Sequence, residues 1–213
     1  MLTKKQEEDL AGLREKVAGV VTGKRLTHTY GVEREITRLS EIYAPDEEYR
    51  LRAAALLHDI TKQKKGDEQT ALCDKYGIKY TKEDTLMPKT FHARTAGEGI
   101  KNHLPEFADD YILGAVRYHT TGRKGMTTGE KLLYLADYIE DTRTFEDCVK
   151  LREYFYTGLE KCADAKDRES LLSDTLILSF DMTIRGLIDD GTPIHQDTFE
   201  ARNYLIEVKE FEQ

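Results

Sequence analysis

Residues 52–62 read RAAALLHDITK, an apolar run of alanine and leucine that ends in a histidine and an aspartate side by side. Small alanines favour a helix and let neighbouring helices pack closely against it. A buried segment that finishes in two ligand-type side chains has two interpretations. The pair is either an isolated polar feature of the core or one part of a site that distant segments complete.

The whole chain has a helical pattern. It contains only four prolines in 213 residues, and its apolar residues recur mostly at spacings of three and four, which predicts an all-α fold rather than a sheet. The length suits a single domain spanning 1–213. Segment 76–90 has no sustained period and is expected to be a loop. Helices are predicted at about 4–21, 25–43, 47–60, 67–76, 91–103, 106–119, 127–140, 144–163, 168–189 and 197–211.

Composition narrows the class of protein. The net charge of −8 disfavours broad binding to nucleic acid or to an anionic membrane. We find neither an apolar leader nor a run of eighteen apolar residues, and therefore expect a soluble, cytoplasmic protein. The three cysteines lack CxxC spacing, so neither a disulfide framework nor a structural zinc site is indicated.

Four histidines lie on the apolar faces of four predicted helices. His28 shares a stripe with Val32 and Ile36, and the other three are His58, His92 and His119. Any one of them could be a core histidine that backbone carbonyls or hydroxyls satisfy. Burying four unpaired imidazoles separately would cost about 1–3 kcal/mol each, whereas one shared cation would satisfy several together. A common metal centre is the simpler hypothesis.

Two aspartates complete the candidate ligand set. Asp59 follows His58 directly, and because helical neighbours diverge by about 100°, both reach one ion only near the last turn of their helix. Asp137 borders the apolar stripe of its helix, although it could equally be a surface carboxylate beside Glu140 and Asp141. Nitrogen and oxygen ligands without thiolate suit iron, manganese, zinc or cobalt, and do not choose among these metals or between one ion and two.

Basic residues near these ligands suggest a phosphate-binding function. Lys62, Arg123 and Arg143 follow the candidate ligands closely in sequence, and cationic forks and ammonium groups are typical phosphate contacts. The remaining lysines nearby are interpreted as a solvated face. The other two histidines, His103 and His195, are interpreted as structural or capping residues.

The complete motif set is more specific than an adjacent His and Asp. It comprises LTHTYGV at 26–32, LLHDITK at 56–62, FHARTAGE at 91–98, RYHTTGR at 117–123, LADYIEDTR at 135–143 and GTPIHQDTFEARNYL at 191–205. Together these resemble the HD-domain metal-dependent phosphohydrolases and, among them, the YqeK family of bacterial symmetrical bis(5′-nucleosyl)-tetraphosphatases. The resemblance covers nearly all of the chain from about residue 18.

The resemblance implies an HD-type helical bundle with a metal site in its core, formed by about 20–145, with C-terminal helices 146–213 packed on it. It also implies an iron site, mononuclear or dinuclear, and cleavage of diadenosine tetraphosphate (Ap4A) into two ADP by a metal-activated water. The implied metal ligands are His28, His58, Asp59 and Asp137. Catalytic roles are expected for Asp59, Lys62, His92 and His119, and nucleotide contacts for Lys62, His92, His119, Thr120, Arg123, Tyr138, Arg143, Arg202 and Asn203.

Two alternatives remain at this stage. The chain could be an HD phosphohydrolase for another nucleotide, such as a deoxynucleoside triphosphate, a cyclic dinucleotide or guanosine tetraphosphate, or it could be a noncatalytic nucleotide sensor. Intact ligand positions argue against the sensor. The expected partners are Ap4A and ADP, without nucleic acid or membrane, and segment 144–190 could support a homodimer.

Overall fold

Helices account for the architecture of residues 1–211, which are the residues that the computed structural model describes. No strand occurs in that range, so the all-α prediction is confirmed. The helices are α1 (Lys4–Ala18), α2 (Gly23–Tyr43), α3 (Glu48–Leu57), α4 (Asp67–Tyr76), α5 (Phe91–His103), α6 (Asp110–Tyr118), α7 (Thr128–Ile139), α8 (Glu146–Leu159), α9 (Ala165–Asp189) and α10 (Gln196–Phe211). The predicted loop 76–90 contains two short 3-10 turns, Asp84–Leu86 and Pro88–Thr90.

Helix α3 occupies the centre of the core. It packs against α1, α2, α6 and α7, and every residue from Ala53 to Leu57 is completely buried. Three successive alanines allow this crowding because they occupy little volume. Each buried leucine contributes about 1.5–3 kcal/mol of hydrophobic stabilisation.

The end of α3 differs from the prediction. The helix stops at Leu57 rather than near residue 60, and His58 is its C-cap. The chain then turns, with the amide of Lys62 donating to the carbonyl of Asp59 at 2.9 Å. Both His58 and Asp59 therefore lie at the buried end of a helix, as the ligand hypothesis requires, but Asp59 and Lys62 belong to a turn instead of a continuing helix.

Capping side chains set the starts of two other helices. The carboxylate of Asp109 accepts the amide of Ile112 at 2.9 Å, so α6 begins at residue 110 rather than at the predicted 106. Pro105 opens a separate 3-10 turn before it. A reciprocal capping box between Thr127 and Glu130 starts α7, because each side chain satisfies a free amide of the first turn.

The C-terminal helices hold the end of α7. Helix α9 packs against α7, α8 and α10. From α8, the guanidinium of Arg152 donates to the carbonyls of Ile139 at 2.5 Å, of Arg143 at 2.9 Å and of Glu140. These carbonyls lie at or just beyond the C-terminus of α7, where a helix leaves acceptors without internal partners. None of the helices in residues 1–211 has both the length and the apolar character that crossing a membrane would require.

Candidate metal centre

Three helices and one turn bring the four predicted ligands together. Nε2 of His28 lies 2.9 Å from Oδ1 of Asp137, and Nε2 of His58 lies 3.4 Å from Oδ2 of Asp59. Ligand atoms of His28, His58 and Asp137 all lie within 4.8 Å of one another. The side chain of Asp137 is 19% exposed, so it belongs to the cluster and not to the surface.

Outer partners turn the imidazoles toward a common point. Nδ1 of His58 donates to the carbonyl of Ala55 at 2.6 Å, and Nδ1 of His28 lies 3.0 Å from a carboxylate oxygen of Glu140. Bonds of this kind at one ring nitrogen orient the other toward a metal. Nε2 of His28, Nε2 of His58 and Oδ1 of Asp59 are buried without an aligned hydrogen-bond partner in residues 1–211. Such orphaned atoms need a compensating group, and a cation supplies one.

A second half of the cluster faces the other oxygen of Asp59. Oδ1 of Asp59 lies 3.2 Å from Nε2 of His92 and 3.7 Å from Nε2 of His119. These two Nε2 atoms are 2.9 Å apart, and the hydroxyl of Thr120 is within 3.2 Å of both. The ammonium of Lys62 is 3.1 Å from Nε2 of His92. The carboxylate of Asp59 thus lies between two pairs of histidines.

Two carboxylates favour the protonated form of His28. Burial alone would lower its pKa, but Asp137 and Glu140 outweigh burial and raise the pKa of His28 to about 9. Burial would also raise the pKa of Asp137, whereas Arg143 and His28 hold that pKa well below its usual range. A bound cation would take over the role of this proton and would have to displace it.

Burial favours the neutral form of the two imidazoles in the other half of the cluster. Burial lowers the pKa of His92 to about 3 and also lowers the pKa of His119. Burial lowers the pKa of Lys62 in the same way. Neutral imidazoles are the form that binds a metal. The nitrogen and oxygen donors, their convergence and their orphaned atoms together fit a divalent transition metal.

Two residues of the centre were not predicted from the sequence. Glu140, expected to be an exposed neighbour of Asp137, is completely buried, and Arg25 donates to Oδ2 of Asp59 at 2.6 Å. The sequence spacing could have indicated both residues. Glu140 is three residues after Asp137, and Arg25 is three before His28, so each pair shares a helix face.

The predicted basic residues are placed differently from one another. Arg143 donates to Oδ1 of Asp137 at 2.6 Å and therefore lies at the centre. The guanidinium of Arg123 instead donates to Glu130 at 3.0 Å. Arg202 donates to Asp181 at 2.5 Å, and a second nitrogen of Arg202 donates to the amide oxygen of Asn203 at 3.3 Å. These recorded bonds tie Arg123, Arg202 and Asn203 to neighbours outside the cluster.

Two pockets adjoin the cluster. One, of about 530 Å³, is lined by Thr120 and Tyr138 together with apolar residues such as Met182 and Leu187. The other, of about 410 Å³, is lined by His28, Arg143 and several polar residues. Pockets of this size accommodate small-molecule ligands. Thr120 and Tyr138, both predicted nucleotide contacts, therefore share one pocket.

The last two histidines have structural contacts. Nδ1 of His195 accepts the amide of Asp197 at 3.1 Å, in the first turn of α10. Nε2 of His103 lies 3.3 Å from the hydroxyl of Tyr76 on the surface. His195 also lines the pocket of Thr120 and Tyr138, so the structural role of this residue stays a prediction.

Comparison with known proteins identifies the family to which this chain belongs. Residues 25–142 match the HD domain family model, more than half of the 213 residues. A relative from Bacillus subtilis (strain 168), named symmetrical bis(5′-nucleosyl)-tetraphosphatase, is 31% identical over 94% of this chain and 97% of its own length. A relative of the same name from Halalkalibacterium halodurans is 30% identical over 87% of this chain and 91% of its own.

A solved structure shows the same fold. It comes from Clostridium acetobutylicum and is described as a predicted HD superfamily hydrolase involved in NAD metabolism. It is 32% identical and superposes with a TM-score of 0.78, covering 92% of this chain and 96% of that one. On these matches, the chain belongs to the HD-domain family, in the branch of the symmetrical bis(5′-nucleosyl)-tetraphosphatases.

Proposed function

We propose that this protein hydrolyses Ap4A symmetrically, adding one water across the central phosphoanhydride to give two ADP. The observation that carries this proposal is the buried carboxylate of Asp59, which faces His58 with one oxygen and His92 with the other. This cluster adjoins two separate pockets. The relatives named symmetrical tetraphosphatases support the same substrate.

Iron is the proposed metal, held as one or two ions. His28, His58, Asp59 and Asp137 would hold the first, and His92 and His119 would hold a second, with Asp59 shared between them. When bound, a divalent metal polarises a phosphoryl oxygen and lowers the pKa of a water toward neutrality. The shared carboxylate supports the two-ion form, because its two oxygens lie 3.4 and 3.2 Å from nitrogens of different histidine pairs.

The chain's own cations offset the charge of the tetraphosphate. Lys62, beside His92, and Arg143, beside Asp137, would neutralise phosphoryl oxygens as the central P–O bond breaks. The departing ADP keeps the bridging oxygen, and the other ADP gains the oxygen of water. His92 and His119 act as neutral ligands in this proposal, because burial lowers the pKa of both imidazoles.

Product analysis tests the proposal. Anaerobically purified, metal-analysed protein is incubated with Ap4A in 18O-labelled water, and the products are resolved by mass spectrometry. We expect ADP alone, with one label for each pair of ADP molecules. AMP with ATP would contradict symmetrical cleavage. Faster turnover of a deoxynucleoside triphosphate, a cyclic dinucleotide, guanosine tetraphosphate or NAD⁺ would favour another nucleotide, and binding of Ap4A without turnover would favour a sensor.

A further inference from the structure

The pocket beside His28 has features that the proposed metal and nucleotide contacts do not explain. It is lined by Lys24, Arg25 and Arg143 as well as by Phe145, and its volume is about 410 Å³. Arg25 and Arg143 are already bound to the carboxylates of the centre. Lys24 is exposed and makes no ion pair within the described range, residues 1–211, so its ammonium is available to an anionic ligand.

Phe145 lines this pocket, and neither packing nor helix capping requires its side chain to be aromatic. It is 71% exposed. It occupies the N-cap position of α8 but makes no side-chain capping bond there. Single exposed apolar residues are common. Phe145 differs because it lines a pocket rich in cations, and an exposed ring beside cations is the arrangement that binds a nucleobase and its phosphates.

The two pockets lie toward different ends of the histidine cluster. Ring centroids are 5.5 Å apart from His28 to His58, 4.9 Å from His58 to His119, and 4.9 Å from His119 to His92. The first pocket includes His28, and the second includes Thr120, whose hydroxyl bonds His119. The two pockets share no lining residue. A substrate with a nucleoside at each end and its scissile bond in the middle needs two nucleoside-binding pockets, one toward each end of the cluster.

We propose that the pocket lined by Lys24 and Phe145 is the second nucleotide subsite. It would receive one nucleoside diphosphate half of the substrate, with the base stacked on Phe145 and the phosphates beside Lys24. The other half would occupy the pocket of Thr120 and Tyr138. This assignment rests on the proposed function and extends it, because it explains a preference for substrates that carry two nucleosides.

The test compares Ap4A with adenosine 5′-tetraphosphate, which has the same phosphate chain but only one nucleoside. For the unaltered holoenzyme, we expect a higher kcat/KM with Ap4A. In Phe145→Ala, the ratio of the two kcat/KM values should fall by about 5- to 150-fold, which corresponds to one base–aromatic stack. Phe145→Trp should retain the ratio. Tyr154→Ala, which removes an aromatic ring that is 44% exposed elsewhere on α8, is the matched control and should leave the ratio unchanged.

The outcomes separate this inference from the proposed function. If the unaltered protein converts Ap4A to two ADP but Phe145→Ala keeps the full preference for Ap4A, the second subsite is overturned. The proposed activity is then unaffected. Equal loss with both substrates in Phe145→Ala would also overturn it, because the ring would then not serve the second nucleoside. Unaltered protein that leaves Ap4A intact would overturn both proposals.

Discussion

Gly31→Ala is expected to weaken metal binding even though residue 31 contacts no proposed ligand directly. Gly31 lies within α2, and a Cβ atom there would sit 2.1 Å from a carboxylate oxygen of Glu140. The side chain of Glu140 is completely buried, so it can yield only by leaving its place. Its bond to Nδ1 of His28, 3.0 Å long, would then be lost.

The expected loss of metal affinity follows from the one contact between Glu140 and His28. Loss of an outer partner of a metal-binding histidine typically lowers metal affinity by about 10- to 100-fold, which equals about 1.4–2.8 kcal/mol. A hydrogen bond to a charged group contributes about 1.5–3 kcal/mol, so the two figures agree. Helix propensity acts in the opposite direction, because alanine stabilises a helix interior over glycine by about 0.8–1 kcal/mol.

Calorimetric titration of the metal-free protein with Mn²⁺, alongside thermal unfolding, measures both effects. Gly97→Ala is the matched control, because Gly97 is also a buried glycine inside a helix, but nothing lies within 4 Å of its added Cβ. It should raise stability and leave metal affinity unchanged. In a Glu140→Ala background, Gly31→Ala should have no further effect on affinity. Unchanged affinity in Gly31→Ala alone would refute the orienting role of Glu140.

Three further changes test other parts of the centre. Asp59→Ala should abolish both metal binding and turnover, measured by metal analysis and ADP release. Asp141→Ala, on the surface, is the control and should change neither. Retained metal with full activity in Asp59→Ala would contradict the proposed site. Affinity for Mn²⁺ should rise by up to ten-fold per pH unit between pH 6 and 8, because metal displaces the proton that His28 holds with a pKa of about 9. Calorimetry in buffers of different ionisation enthalpy should detect the released proton. Metal binding without proton release would contradict the raised pKa of His28. Arg152→Ala should lower the free energy of unfolding by at least about 1.5–3 kcal/mol in denaturant titrations, because a charged donor to three carbonyls is lost, and an unchanged midpoint would exclude this stabilising role.

Local periodicity was sufficient to predict which histidines are buried. A helix repeats every 3.6 residues, so the apolar stripe that contains His28 also shows that His28 points inward. The same reasoning identified His58, His92 and His119, all of which are buried. The number and approximate limits of the helices were equally accessible, because turns, caps and apolar spacing are properties of short segments.

Long-range packing decided which charged groups meet at the centre. Arg123 is close in sequence to His119, yet Glu130 binds it, while Arg25, which the sequence did not single out, reaches Asp59. Glu140 looked like a surface carboxylate until the packing of α7 against α2 placed it beside His28. A charged side chain can turn to any of several partners within its reach, and the position of neighbouring helices selects one. The sequence alone therefore determined which side chains point inward, and only the tertiary structure decided which of them lie close enough to share a proton or a carboxylate.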